Sequence, residues 1–456
     1  MDPLRCCGPT RRREILKLGA LGLGALNFGD FALAAPPPRR PGTATRSLIL
    51  FWMWGGPSQL ETWDPKPDAP SEIRGPFGSI ETRIPGARFS EILPRLAKSA
   101  DRLAVVRSLH HTMTAHNDGS IEVLTGKTPE APDPTSAALS KHPDLGMVVS
   151  RVRGLRTDGI PQYVGVPSTS FITRPNYLGN ANKGFNSGDP TRDDPTPQEL
   201  LLTPGLTPRA LHRRDALLRR LEIDRSNADG RDAPEGFARL RDAGLHLLTR
   251  PEVSAAFDLR KEDPALRDRY GRHLWGQSCL MARRLTEAGA GVVIVDASAP
   301  MRDAKIYWSW DDHANASNTG WDIKKGMELR AGYLDQALTA LIQDVYDRGL
   351  DQQVMIAALG EFGRSPNMEK AAGCTGRSHW PGAFSALLSG GGMRTGQVIG
   401  ATDASAGEPV ERPLTPQDLH ATFYRHLGID SNTAFEDLTG RPIPILSSGE
   451  AIKELF

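Results

Sequence analysis

Apolar runs alternating with helical periodicity predict an α/β protein in which a large, mostly parallel sheet is sandwiched between helices. Three observations carry that prediction. Residues 47–54 (SLILFWMW), 291–295 (GVVIV) and 354–359 (VMIAAL) are nearly unbroken apolar stretches of the length of buried strands. Helical patterns over 263–288, 327–347 and 415–427 alternate with them. No internal repeat or composition break divides the chain, so residues 47–456 read as a single domain.

The chain opens differently. Arg11, Arg12 and Arg13 precede Glu14-Ile15-Leu16-Lys17 and an apolar segment, 18–33, that is rich in Gly and Ala and interrupted by Asn27 and Asp30. This resembles a twin-arginine export signal. Ala32-Leu33-Ala34 supplies a small-x-small cleavage pattern. Residues 1–35 therefore read as a signal peptide and 36–46 as a linker. The expected location is the periplasm or cell envelope, with no stable membrane span after cleavage; an uncleaved anchor is the alternative. The route carries folded proteins, often with a metal or cofactor already inserted.

Composition narrows the rest. Of 456 residues, 39% are apolar and 24% charged, enough for a soluble core. A formal net charge of +1 gives no whole-chain case for binding nucleic acid. Cys6 and Cys7 lie in the leader. Cys279 and Cys374 stand far apart without a CxxC pattern, which excludes a zinc ribbon, and their pairing is not readable from sequence.

In chain order, the first strand (47–54) ends at Gly55-Gly56-Pro57-Ser58, and Glu61 and Asp64 follow as ligand-site or turn-stabilising acids. A helix is expected over 90–100 and a strand over 103–106. His110, His111 and His116 then crowd seven positions in a chain with 11 histidines. A helix over 119–124, capped by Asn117 or Asp118, would put His116 at its N-terminus, where it can bind a metal or an anion. Residues 162–166 read as a strand and 167–197 as a long loop. A basic helix covers 208–224, its apolar side made by Ala210, Leu211, Leu217, Leu218 and Leu221, with helices over 233–249, 251–257 and 263–288 after it. In IYWSWDDHAN (306–315), Asp311 and His313 point the same way if the segment is extended. The strand at 354–359 runs into Gly-Glu361-Phe-Gly-Arg364. His379 precedes another apolar run, 384–388, and a short strand is expected over 396–400. An acid, an arginine and a histidine at strand ends are where an open α/β sheet places its ligand site.

The motifs GGPSQLETWDPKP, LTGKTP, WDDH, GEFGRSP and GRSHWP, with VERPLTPQDLHATFYRHLGID near the end, are similar to those of the family catalogued as domain of unknown function 1501. That family resembles, distantly, the alkaline phosphatase and sulfatase superfamily. The resemblance implies an alkaline-phosphatase-like fold with a metal site at the strand C-termini. It also marks departures. Counting back from Leu124-Thr125-Gly126, the nucleophile position carries His116. The acid after strand one is replaced by Trp54-Gly55-Gly56, and the late Asp-His pair reads Glu361-Phe362. What remains is a single-metal site from Asp311, His313, Glu361 and His379. His116 would serve as nucleophile or base and Arg364 as oxyanion stabiliser. Nitrogen and carboxylate ligands suit a divalent metal such as zinc, with iron or manganese allowed. The implied activity is hydrolysis of a phosphate or sulfate ester, with an anionic ester or polysaccharide as substrate. The alternative is a non-catalytic envelope binding or assembly protein on the same scaffold.

Overall fold

The computed structural model describes residues 46–229, 235–300, 309–314, 322–371 and 373–456. The signal peptide expected over 1–35 and nearly all of the expected linker lie outside the described residues. So do the flanks of IYWSWDDHAN, of which 309–314 are described.

The main sheet has eight strands: β1 Ser47–Trp52, β2 Ala104–Leu109, β3 Tyr163–Val166, β4 Phe185–Asn186, β5 Val292–Asp296, β6 Val354–Leu359, β7 Phe384–Gly390 and β8 Gln397–Ile399. Their spatial order is β8-β2-β7-β6-β1-β5-β3-β4. All run parallel except β7, which lies antiparallel between β2 and β6. Central β1 pairs with β5 from Leu48↔Val292 to Trp52↔Asp296 and with β6 from Ser47↔Val354 to Trp52↔Leu359. All six residues of β1 and of β6 are buried, the pattern of a strand covered on both faces.

The helices that cover the sheet are α1 His116–Thr125, α2 Leu145–Arg153, α3 Leu274–Glu287, α4 Ile323–Asp347 and α5 Pro416–Leu427. Strand alternation divides the core into two layers. Ile49, Phe51, Val293, Val295, Ile356 and Ala358 pack with Leu280 and Leu285 of α3 and Leu334, Leu338 and Leu341 of α4. Leu48, Leu50, Ile294, Met355 and Ala357 pack on the other side with Val123 of α1, Val148 of α2 and Leu419 and Phe423 of α5. The predicted sandwich is therefore the observed architecture.

Local expectations fail where one residue type overrides periodicity. The helix read over 263–288 is two, Pro264–Tyr270 and α3. Gly271 breaks it at φ +94, which glycine adopts without strain, and the His273 side chain accepts from the Gly276 N–H to cap α3. The helix over 90–100 shrinks to Pro94–Lys98, because Arg88–Ser90 pairs as a strand with Ser79–Glu81. The 167–197 loop contains β4, two residues pairing with β3 and too short to leave a pattern. Helix α1 starts at His116, so Asn117 and Asp118 lie inside its first turn rather than capping it, and Asp118 accepts from the Asp133 N–H. In helix Pro208–Asp229, Leu217 and Leu221 are 59% and 57% exposed, so the apolar side read there is not buried. Cys279 and Cys374 are buried and form no disulfide with each other.

Candidate metal centre

Four segments meet beyond the C-terminal ends of β1 and β6. Gly55, after β1, has φ +115, and a side chain there would meet the backbone nitrogens of Trp310 and Asp311 at 2.7 Å. That close approach lays 309–314 across the tip of β1. After β6, Glu361 and Phe362 lead into Gly363–Arg364, which pairs antiparallel with His379–Trp380, Arg364 opposite His379. Helix α1 brings His116 at its first turn.

The site is built around one oxygen. Asp311 Oδ1 lies 3.3 Å from His116 Nε2, 3.0 Å from His313 Nε2, 3.2 Å from His379 Nε2 and 2.7 Å from Arg364 Nη2. His313 Nε2 and His379 Nε2 are 2.8 Å apart. One ligand atom from each of His116, Asp311, His313 and His379 lies within 4.8 Å of the others, close enough to hold one metal ion.

The outer nitrogens decide which way the lone pairs point. His116 Nδ1 donates to Glu361 Oε1 at 2.6 Å, and His379 Nδ1 donates to the Thr114 carbonyl at 2.7 Å. Both imidazoles then offer Nε2 to the centre. His116 Nε2 is buried and lies 3.3 Å from Asp311 Oδ1, an ion pair without good hydrogen-bond geometry. A buried imidazole nitrogen without a well-formed hydrogen bond, beside two further imidazole nitrogens and a carboxylate oxygen, fits a site that could hold a metal ion. Asp311, His313 and His379 side chains are 24%, 24% and 20% exposed, so the cluster is open on one side. Phe362 covers His116 and His379 at ring distances of 5.2 and 4.5 Å, and Trp54 lies 5.0 Å from His116.

Charge follows this geometry. Burial disfavours the Asp311 carboxylate, but His116, His313, His379 and Arg364 outweigh it and hold Asp311 far below the usual carboxylate range. Burial likewise works against a His116 cation, yet its contacts with Asp311 and Glu361 raise its pKa to about 9. His379 goes the other way, lowered to about 4 chiefly by burial.

All six residues expected at the site are brought together, but in different places. Glu361 does not face the common point. Its carboxylate accepts from the Gly55 N–H at 2.8 Å and from His116. His116 joins the ligand cluster. Arg364 is fully buried and engaged: it donates to the carbonyls of Gly55, Gly56, Trp310 and Arg377 and to Asp311. Glu61 and Asp64 lie outside the cluster; Glu61 pairs with buried Arg377 at 2.7 Å, and Asp64 with Lys66 and Arg107. His111 donates to the Glu361 carbonyl at 2.6 Å and so steadies that loop. The His116–Glu361 contact spans 245 residues and leaves no local sequence signal.

A family model described as protein of unknown function (DUF1501) matches residues 45–456. None of the curated proteins matches the chain. Among solved structures, 60 chains match. The sulfatase PsFucS1 from Pseudoalteromonas sp. is 13% identical, with a TM-score of 0.37, over 92% of this chain and 72% of that one. The C-terminal periplasmic domain of EcEptC from Escherichia coli, in complex with Zn, is 12% identical, with a TM-score of 0.35, over 92% and 96%. The lipoteichoic acid synthase LtaP from Listeria monocytogenes is 11% identical, with a TM-score of 0.35, over 87% and 75%.

Two outcomes follow from the hydrogen bonds. Glu361→Gln removes the charge behind His116 and should weaken zinc binding about tenfold with the fold intact; unchanged affinity by competition with a chelating dye would contradict the placement. With its pKa raised to about 9, His116 would have to release a proton to a bound metal. Calorimetry in buffers of different ionisation enthalpy should show about one proton released near pH 7, and affinity rising about tenfold per pH unit up to roughly pH 8.5. Affinity independent of pH over that range would contradict the charge assignment.

Proposed function

The chain belongs to the DUF1501 family, and from that premise we propose that it is an exported, metal-dependent hydrolase of phosphate or sulfate esters. The observation that carries the proposal is the convergence of three imidazole nitrogens and one carboxylate on a half-open point at the strand C-termini. His116, Asp311, His313 and His379 are the proposed ligands. The donor set fits zinc, with iron or manganese also suited, and His116 Nε2 is satisfied by such an ion. A bound divalent ion supplies a water of lowered pKa and polarises an ester oxygen.

The protein's own groups prepare the site. Glu361 fixes the His116 tautomer and ring angle, and the Thr114 carbonyl does the same for His379. Burial keeps His379 neutral at pH 7 and so competent as a ligand. Arg364 holds Asp311 ionised and in place. Both His116 nitrogens are committed, one to Glu361 and one to the centre, so attack by water replaces attack by His116 in this reading. The exported location rests on the paired arginines and apolar segment of the leader. Among the described residues, no helix is long and apolar enough to cross a membrane.

One observation favours a binding or assembly protein instead. Among the described residues, Arg364 is the guanidinium paired with the cluster, and it is fully buried with each of its three nitrogens donating to backbone carbonyls or Asp311, which suits it poorly to an oxyanion. Zinc-loaded protein, assayed against 4-nitrophenyl phosphate, bis(4-nitrophenyl) phosphate and 4-nitrophenyl sulfate, separates the two. We expect saturable turnover that chelation abolishes and that His313→Ala lowers more than about a hundredfold in kcat/KM. Stoichiometric zinc with no turnover on any ester would transfer the assignment to the binding protein.

A further inference from the structure

An aromatic step leads from the cluster to solvent. Trp54 leans on His116 at 5.0 Å with a 39° tilt, and Phe171 meets Trp54 edge-on at 6.3 Å and 68°. Phe171 is 63% exposed. An exposed ring packed through Trp54 towards the cluster is placed to meet a ligand of that site.

The ring rises from Pro167-Ser-Thr-Ser-Phe171-Ile-Thr-Arg174, in which Ser168, Thr169 and Ser170 are half-buried. The segment is fixed rather than loose. Thr169 donates from both its N–H and its hydroxyl to Asn186 Oδ1, and Ser170 Oγ accepts from the Ile172 N–H. The Arg174 guanidinium donates to the Phe171 and Thr173 carbonyls. A held aromatic ring on a segment that carries the Ser168 and Ser170 hydroxyls and is bonded to the Asn186 amide suits a ligand with one apolar face and a hydrogen-bonding edge. A pyranose is such a ligand: its axial C–H bonds make a flat apolar face, and its hydroxyls surround that face. An aryl or alkyl group would use the ring and leave those polar groups unmatched.

We propose that Phe171, backed by Trp54, is a stacking platform for a sugar ring, and that the ester taken by the cluster is carried on a saccharide. The proposal rests on the reading of the cluster as an ester-binding metal site. Its platform part is tested without turnover.

The experiment is affinity gel electrophoresis of the full-length wild-type protein and its Phe171→Ala, Phe171→Leu, Phe171→Tyr and His379→Ala variants. The gels contain dextran sulfate, alginate, xylan or dextran. Phe171 is exposed, so its variants should fold; circular dichroism checks this. Wild type and Phe171→Tyr should be retarded on at least one polysaccharide. Phe171→Ala and Phe171→Leu should bind that polymer about tenfold more weakly, since leucine keeps apolar area but no ring face. His379→Ala should retain the retardation, so failure of the metal reading would leave the platform standing. Retardation of wild type on none of the four polymers, or equal retardation of Phe171→Leu and wild type, would overturn the proposal.

Discussion

Arg364 is fully buried, and each of its three guanidinium nitrogens finds an acceptor, on separate segments of chain. It binds the carbonyls of Gly55 and Gly56 after β1, Trp310 in the 309–314 segment and Arg377 ahead of His379. The last contact, with Asp311, sets the carboxylate around which the histidines gather. Removing one partner of a buried, hydrogen-bonded charge pair costs on the order of 3–5 kcal/mol. Here it would also unpin three of the loops that meet at the site. The arginine that the sequence suggests as a clamp for substrate is better understood as a clamp for the protein.

Four nitrogens crowd one Asp311 oxygen, three of them imidazole and one guanidinium. Two of the imidazoles are turned by Glu361 and the Thr114 carbonyl so that their free nitrogens point inward. Such outer hydrogen bonds orient metal-binding histidines and increase their basicity. Contacts with Asp311 and Glu361 raise the His116 pKa to about 9, whereas burial lowers that of His379 to about 4.

Much of the fold was legible because buried parallel strands must be apolar on both faces; β1, β5 and β6 were readable as uninterrupted runs. What escaped was short or set by a single residue. Two-residue β4 has no periodicity to detect, and Gly271 breaks a pattern whose apolar spacing continues across it. At the site, the six residues named from the sequence do gather, but not in the places expected of them. Strand-end acids and histidines show which groups gather, whereas the division into ligand and support depends on contacts hundreds of residues apart. His116 and Glu361 thus exchange places: the histidine faces the centre and the glutamate stands behind it. Phe171 lay in a segment read only as a loop, and its exposure beside Trp54 is a property of the folded chain.

The account stands or falls on which atoms meet the metal. X-ray absorption at the zinc edge of the fully loaded protein reads them directly. It should show a first shell of nitrogen and oxygen at about 2.0–2.1 Å, with multiple scattering from three imidazoles. A shell containing sulfur, or fewer than two imidazoles, would contradict the assignment of His116, His313 and His379 as ligands.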